Sequence, residues 1–297
     1  QLRLFEPLGI ENATWESNAQ GINFGGWGLK VKTEDIAKLG QVYLQNGMWN
    51  GERILTEEWV KAATYKQTSN GSNPNSDWEQ GYGYQFWRSR NNCYRGDGAF
   101  GQYCIVMPEQ DAVLVMTGGL GDMQKPLNLV WDILLPSMRD QPLPENSRAY
   151  ERLVEKQSGL FLSTVAGEPH SEQSKGLSGS AFKFEENQYG IESMSLEFGK
   201  EVSTVIVKSR MGDRSFKCGY NRWEKTSMPF MSNTPEPVAA SGAWITPETY
   251  CVKLCACETP YIQQLDFQFN DNELLFHLKY NVSFGERDWE PLRATRE

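Results

Sequence analysis

The chain has 297 residues, 39% hydrophobic and 12% aromatic, enough for two domains with real apolar cores. Its formal charge of −9 argues against nucleic acid or an anionic membrane as partner. No apolar run approaches the roughly 18 residues of a bilayer span, and Gln1-Leu2-Arg3-Leu4-Phe5 lacks the apolar core of a signal peptide.

In chain order, the first half reads as α plus β. Thr33 is placed to cap a helix, with Glu34 and Asp35 at its positive end and Ile36, Leu39, Gly40, Tyr43 and Leu44 at helical spacing. Thr56 repeats the pattern, with Glu57 and Glu58 ahead of Trp59, Val60 and Ala63. Residues 67–78 form a polar loop rich in Ser, Asn and Gly. Strands are expected near 82–88, 101–107 and 112–117, the last two joined through Pro108-Glu109-Gln110-Asp111. Before them, Arg95-Gly96-Asp97-Gly98-Ala99-Phe100-Gly101 is a glycine-rich turn that lets another backbone or a ligand approach closely. Pro126 opens a third helix whose Leu127, Val130, Trp131 and Leu134 form one stripe, ended by Pro136.

Residues 139–158, with Pro142 and Pro144 among polar neighbours, read as a linker followed by a brief helix near Ala149–Glu155. From residue 159 onward, alternation of apolar and polar residues dominates. It marks Leu160–Ser163, Ala181–Glu185, Ile191–Phe198, Val202–Lys208, Ser215–Tyr220, Tyr250–Cys257, Ile262–Phe269 and Leu274–Tyr280. Phe267 and Phe269 face Leu274 and Phe276 across a longer turn, Asn270–Glu273, which is a hairpin signal. About eight antiparallel strands of this length imply an up-and-down barrel or a sandwich. The six cysteines are spaced like buried free thiols rather than a disulfide framework, with Cys251, Cys255 and Cys257 on one strand face. Without a Cys-x-x-Cys and with only two histidines, no metal site is expected, and no cofactor motif is present. His170 falls in a polar loop and His277 on a strand, where each reads as solvated or satisfied.

Residues 1–138 resemble the C-terminal half of a serine hydrolase of the class C β-lactamase and penicillin-binding-protein superfamily. The resemblance rests on Leu4-Phe5-Glu6-Pro7-Leu8-Gly9-Ile10, Gly25-Gly26-Trp27-Gly28-Leu29, Lys32–Gly40, Gly47–Leu55, Gly81–Trp87 and the glycine-rich hairpin, in the family's order. It implies an α+β fold: an incomplete β-lactamase-like domain over 1–138, followed by a lipocalin-like all-β barrel over 159–297. It also implies hydrolysis of an amide or ester through an acyl-serine. The family's Ser-x-x-Lys pair occurs here only as Ser180-Ala181-Phe182-Lys183, in strand periodicity that sends the two side chains to opposite faces, so it is rejected as catalytic. Tyr-x-Asn is absent, and Lys-Thr-Gly is replaced by Gly96-Asp97-Gly98, which removes the cation that would hold a substrate carboxylate. What survives is a backbone role for the Ala99 N–H as oxyanion donor, with Tyr94, Gly96, Asp97, Gly98 and Phe100 as the substrate wall. The expectation is a fragment that is inactive alone, pairs with a missing N-terminal catalytic segment or self-associates through an open sheet edge, and serves a small-molecule substrate. The alternative is a non-enzymatic barrel that binds a ligand or regulates a partner.

Overall fold

The computed structural model describes residues 2–231 and 234–297. It divides into two compact units, one ending at Pro144 and one spanning Glu145–Glu297. Among the described residues no helix is long and apolar enough to cross a membrane.

The first unit opens with a short ribbon, β1 (Thr14–Trp15) paired with β2 (Leu29–Lys30). Helix α1 (Thr33–Leu44) follows, then a second ribbon of β3 (Met48–Trp49) and β4 (Glu52–Arg53), then α2 (Glu57–Thr64). Thr56 caps α2 as its sequence predicts, accepting from the Trp59 N–H, an arrangement worth about 1 kcal/mol. Thr33 does not cap α1. It is the first helical residue, Lys32 holds the cap position without a side-chain bond, and the Thr33 hydroxyl lies 2.9 Å from that of Thr117.

Four antiparallel strands form the sheet in the order β5 (Trp87–Arg88), β6 (Tyr94–Gly98), β7 (Gln102–Met107), β8 (Ala112–Met116). Alternation along these strands separates two faces. One face sends Tyr94, Val106 and Val113 against Tyr43 of α1 and Val60 and Ala63 of α2. The other sends Tyr103, Ile105 and Met107 against Leu127, Val130 and Trp131. Gly40 sets the close approach of α1 to the sheet, because a Cβ there would stand 2.6 Å from a Val113 methyl and 2.8 Å from the Cys104 sulfur.

The third helix begins at Gln124 rather than Pro126 and passes Pro136. Segment α3 (Gln124–Leu129) widens into a π turn over Val130–Leu134 and closes as α4 (Leu135–Ser137). A proline within a helix costs its i−4 hydrogen bond and crowds the preceding turn, and the wider π turn stands directly before Pro136.

The second unit starts with α5 (Ser147–Ser158), longer than the expected brief helix and capped by Asn146 accepting from the Ala149 N–H. A short α6 (Ser174–Leu177) precedes the strands. These are β9 (Ala181–Phe184), β10 (Ile191–Phe198), β11 (Val202–Ser209), β12 (Arg214–Gly219), β13 (Glu224–Pro229) and β14 (Pro235–Trp244). After them come β15 (Thr249–Ala256), β16 (Ile262–Asn270), β17 (Glu273–Tyr280) and β18 (Leu292–Arg296). The sheet runs β12-β11-β10-β9-β18-β17-β16-β15-β14, and a parallel bridge from Gly219 to Ser241 closes it into a nine-strand barrel, with β13 as an added strand beside β14. The fold is therefore α+β with a closed barrel, and the barrel choice over the sandwich is settled by the β9–β18 and β12–β14 pairings.

Two sequence expectations change here. Leu160–Ser163 is not a strand: Leu160, Phe161 and Leu162 are exposed and no ladder partner reaches them. The β16–β17 turn is tight rather than long, since Asn270 pairs with Glu273 and only Asp271, at φ 49°, and Asn272 lie between. Phe269↔Leu274 and Phe267↔Phe276 hold the predicted register.

Candidate active site

Strand β6 carries the first part of the glycine-rich motif, Arg95–Gly98, so that only Ala99–Gly101 is turn. Its ladder with β7 pairs Tyr94 with Val106, Arg95 with Ile105, Gly96 with Cys104, Asp97 with Tyr103 and Gly98 with Gln102. On its other side, among the described residues, β5 reaches only Tyr94 and Arg95, so Gly96–Gly98 form an open edge. The chain then turns through Ala99-Phe100-Gly101, where Phe100 takes φ 66° and Gly101 φ 95°. A left-handed phenylalanine is unfavourable on its own, and its neighbours hold it there. The Gln102 side chain donates to the Ala99 carbonyl (3.1 Å) and the Gly118 carbonyl (2.7 Å), and the Leu120 N–H donates to the Phe100 carbonyl (3.1 Å). Gln102 is a positioning residue that sequence reasoning passed over.

The predicted site residues separate by face. Ala99 is exposed at the tip, and Gly96, Gly98 and Phe100 are half-buried around it. Tyr94 is not a wall residue: at 5% exposure it belongs to the apolar core, with its ring edge-on to Phe86 at 5.7 Å. Asp97 points to the opposite face, toward α3, and its carboxylate takes the Arg95 Nε–H at 3.0 Å.

Arg95 is the largest fully buried side chain of the unit. Besides Asp97 it donates to the Ser89 hydroxyl (2.7 Å) and the Asp77 carbonyl (3.0 Å), and its guanidinium carbon lies 4.6 Å from the Trp78 ring centre and 5.6 Å from that of Trp87. Burial pulls the Arg95 pKa down, while Asp97 and Asp77 pull it back. For Asp97, burial dominates and raises the pKa against the opposing pull of Arg95. Asp77, fully buried, behaves oppositely. Burial pushes its pKa up, but hydrogen bonds from Arg90, Gln124 and Trp131 outweigh that and leave it lowered. Together these groups tie the 67–78 loop and the head of α3 to the strand that leads to Ala99.

The two thiols of this unit and the Ser89 hydroxyl are not set up to attack a substrate. Burial pushes the Cys93 and Cys104 thiols up to about 12, so neither forms thiolate at neutral pH. The Ser89 hydroxyl is engaged by Arg95. In the second unit, Ser180 and Lys183 do not meet as a pair: the Ser180 hydroxyl takes a bond from Arg296, while Lys183 is exposed on β9, 4.0 Å from Glu297. All six cysteines are free, and the expected shared face of Cys251, Cys255 and Cys257 grades from buried to half-buried to exposed. His277 bonds Asp288, and His170 is exposed. Among the described residues no three His, Cys, Asp or Glu side chains are arranged to hold a metal ion.

The family model for beta-lactamase matches residues 3–121. A putative 6-aminohexanoate-dimer hydrolase from Bacillus anthracis is 18% identical, with 54% of this chain and 38% of that one covered at a TM-score of 0.35. An octameric penicillin-binding protein homologue from Pyrococcus abyssi is 15% identical, covering 98% of this chain and 58% of that one at a TM-score of 0.32. The chain thus spans well under two thirds of the length of both. A fatty acid-binding protein from Drosophila melanogaster brain is 9% identical over 41% of this chain and 99% of that one, at a TM-score of 0.31. No curated protein matches. Residues 3–121, which carry the open strand and its exposed tip, are thus similar to the beta-lactamase family.

Proposed function

We propose that this chain supplies the carbonyl-polarising wall of a serine hydrolase that cleaves an amide or ester, and that polypeptide outside these residues supplies the nucleophile and base. The observation that carries the reading is the open Gly96–Gly98 edge leading to the exposed Ala99, set in residues similar to the beta-lactamase family. In that role the serine oxygen attacks the carbonyl carbon and its proton passes to the base. The Ala99 N–H stabilises the negative oxygen, and the leaving amine or alcohol takes the proton. Water then cleaves the acyl-serine by the same steps. The chain contributes the donor and the wall.

Two measurements test this. The pure 297-residue chain is expected to leave a chromogenic ester and a chromogenic β-lactam untouched. Turnover by the chain alone overturns the division of labour. In the protein that also carries the nucleophile-bearing segment, Ala99→Pro deletes the N–H and is expected to lower kcat by about 10²–10³ with little change in KM. Unchanged kcat removes Ala99 from the mechanism.

The partner belongs to the same proposal. Strand β8 pairs only with β7 among the described residues, so the outer side of Ala112–Met116 is a second open edge. The expected result for the chain alone is a light-scattering mass above its 33.8 kDa monomer. A clean monomer argues against an edge that needs covering. The alternative, a barrel that binds an apolar ligand, finds less support, because buried side chains from all around the ring fill its interior.

A further inference from the structure

Gly96 is a glycine that neither backbone nor packing requires. Its φ lies outside the left-handed range, and a Cβ built on it meets no heavy atom within 4 Å. Neighbouring glycines differ: at Gly83 a Cβ would stand 2.1 Å from the Ala63 carbonyl oxygen, and at Gly98 it would touch the Gln102 side chain at 3.3 Å. Space therefore stands over Gly96, on the α1 side of the sheet, beside the open edge and three residues before the Ala99 N–H. A side chain would fit there, and the sequence places none.

On β6 and β7 that face carries no charge, and the cation beside it on β5, Arg88, lies over the Tyr94 ring at 5.8 Å with its guanidinium bonded to the Thr64 and Asn92 carbonyls. The neighbours of Gly96 on β6 and β7 are Tyr94, Gly98, Gln102 and Cys104, and burial keeps the Tyr94 hydroxyl and the Cys104 thiol protonated. The nearest cation along the strand, Arg95, is fully buried on the opposite face and neutralised by Asp97. A carboxylate entering over Gly96 would lose its water and find no counter-charge on this strand. A neutral group would only bury apolar surface.

Resting on the hydrolase reading above, we infer that the space over Gly96 receives the acyl portion of an uncharged ester or amide, and that the missing side chain sets both the size of that acyl group and its neutrality. The test uses the protein with its nucleophile-bearing segment and four probes: p-nitrophenyl acetate, butyrate and hexanoate, and mono-p-nitrophenyl succinate, which matches the butyrate in length but ends in a carboxylate. The wild-type protein is expected to prefer butyrate over succinate at least tenfold in kcat/KM. Gly96→Leu should lower the hexanoate-to-acetate ratio at least tenfold by filling the space, and Gly96→Lys should shift the butyrate-to-succinate ratio at least tenfold toward succinate. Near-UV circular dichroism of each variant, expected to match wild type because a Cβ meets nothing, separates misfolding from selectivity. Ester turnover with no preference against succinate, or with ratios indifferent to residue 96 in folded variants, overturns this inference and leaves the hydrolase reading standing. Turnover of none of the four esters takes down the hydrolase reading, and this inference with it.

Discussion

Arg95→Met is expected to destabilise the first unit by about 3–5 kcal/mol, read from denaturant unfolding followed by fluorescence of Trp78 and Trp87. Methionine fills much of the same volume, so the loss reports charge rather than a cavity. Without the guanidinium, the Asp97 carboxylate, 9% exposed, is left buried and unpaired, and the Ser89 hydroxyl and Asp77 carbonyl lose their donor. The double change Arg95→Met with Asp97→Leu should recover most of the loss, because an apolar pair of similar volume is often no worse than a buried ion pair. If the double variant is as unstable as the single one, the guanidinium matters through its contacts with Trp78 and Trp87 instead.

The same network predicts two opposite pH responses. Asp77 has a folded pKa below its unfolded value of about 3.9. Its contribution is complete above that value and disappears as pH falls through the folded pKa. The folded pKa of Asp97 lies above the unfolded one, so the fold gains stability from its protonation as pH falls toward about 3.9 and loses that gain as pH rises. Compared with wild type, Asp77→Asn should flatten the loss of stability at the acid extreme. Asp97→Asn should remove a gain at the less acidic end of the window. Curves of unfolding free energy against pH that shift in the same direction for both variants would contradict the assignment.

How much of this was legible beforehand depends on whether a residue acts through its neighbours in sequence or through distant ones. The β7–β8 hairpin and the β16–β17 register follow from local alternation and turn chemistry, and the cap at Thr56 is a local event. Strand β14 escapes such reading because it begins Pro-Glu-Pro and continues through small residues buried on both faces. Its outward side is covered at Ala243 by Val165, some eighty residues earlier, so its pattern does not alternate. Strands β13 and β18 are short and polar, and their neighbours in the ring define them. In the site, the glycine-rich stretch drew attention for its freedom, yet two of its residues serve the opposite end. Asp97 reads as substrate wall and Arg95 as the start of the turn until Asp77, Trp78 and Trp87 are brought around them. The sequence signal that was available is the alternation itself: a strand with glycines on one face and a charge pair on the other has only the glycine face open to a ligand.

In the barrel, Phe267→Ala is expected to cost about 3–5 kcal/mol, and the size of that loss bears on function. Phe267 is fully buried at the centre of a cross-strand row running Trp244, Tyr250, Phe267, Phe276, Leu292 over β14 to β18. Its ring centre lies 5.3 Å from that of Phe276. Cutting it to alanine removes contacts on both sides of the row and leaves a dry apolar cavity, because the neighbouring strands are fixed by their ladders. Phe267→Leu, which keeps most of the volume, should cost under about 1.5 kcal/mol. A small aromatic such as benzene should then raise the Tm of the alanine variant and not that of wild type, as engineered apolar cavities take such guests. A barrel built to hold an apolar ligand responds differently. Its lining faces an open space in the free protein, so truncation there is cheap, and wild type itself is stabilised by the guest. Near-neutral Phe267→Ala together with benzene stabilisation of wild type would therefore make this barrel a binding compartment, whereas a large loss confined to the variant marks it as a packed body.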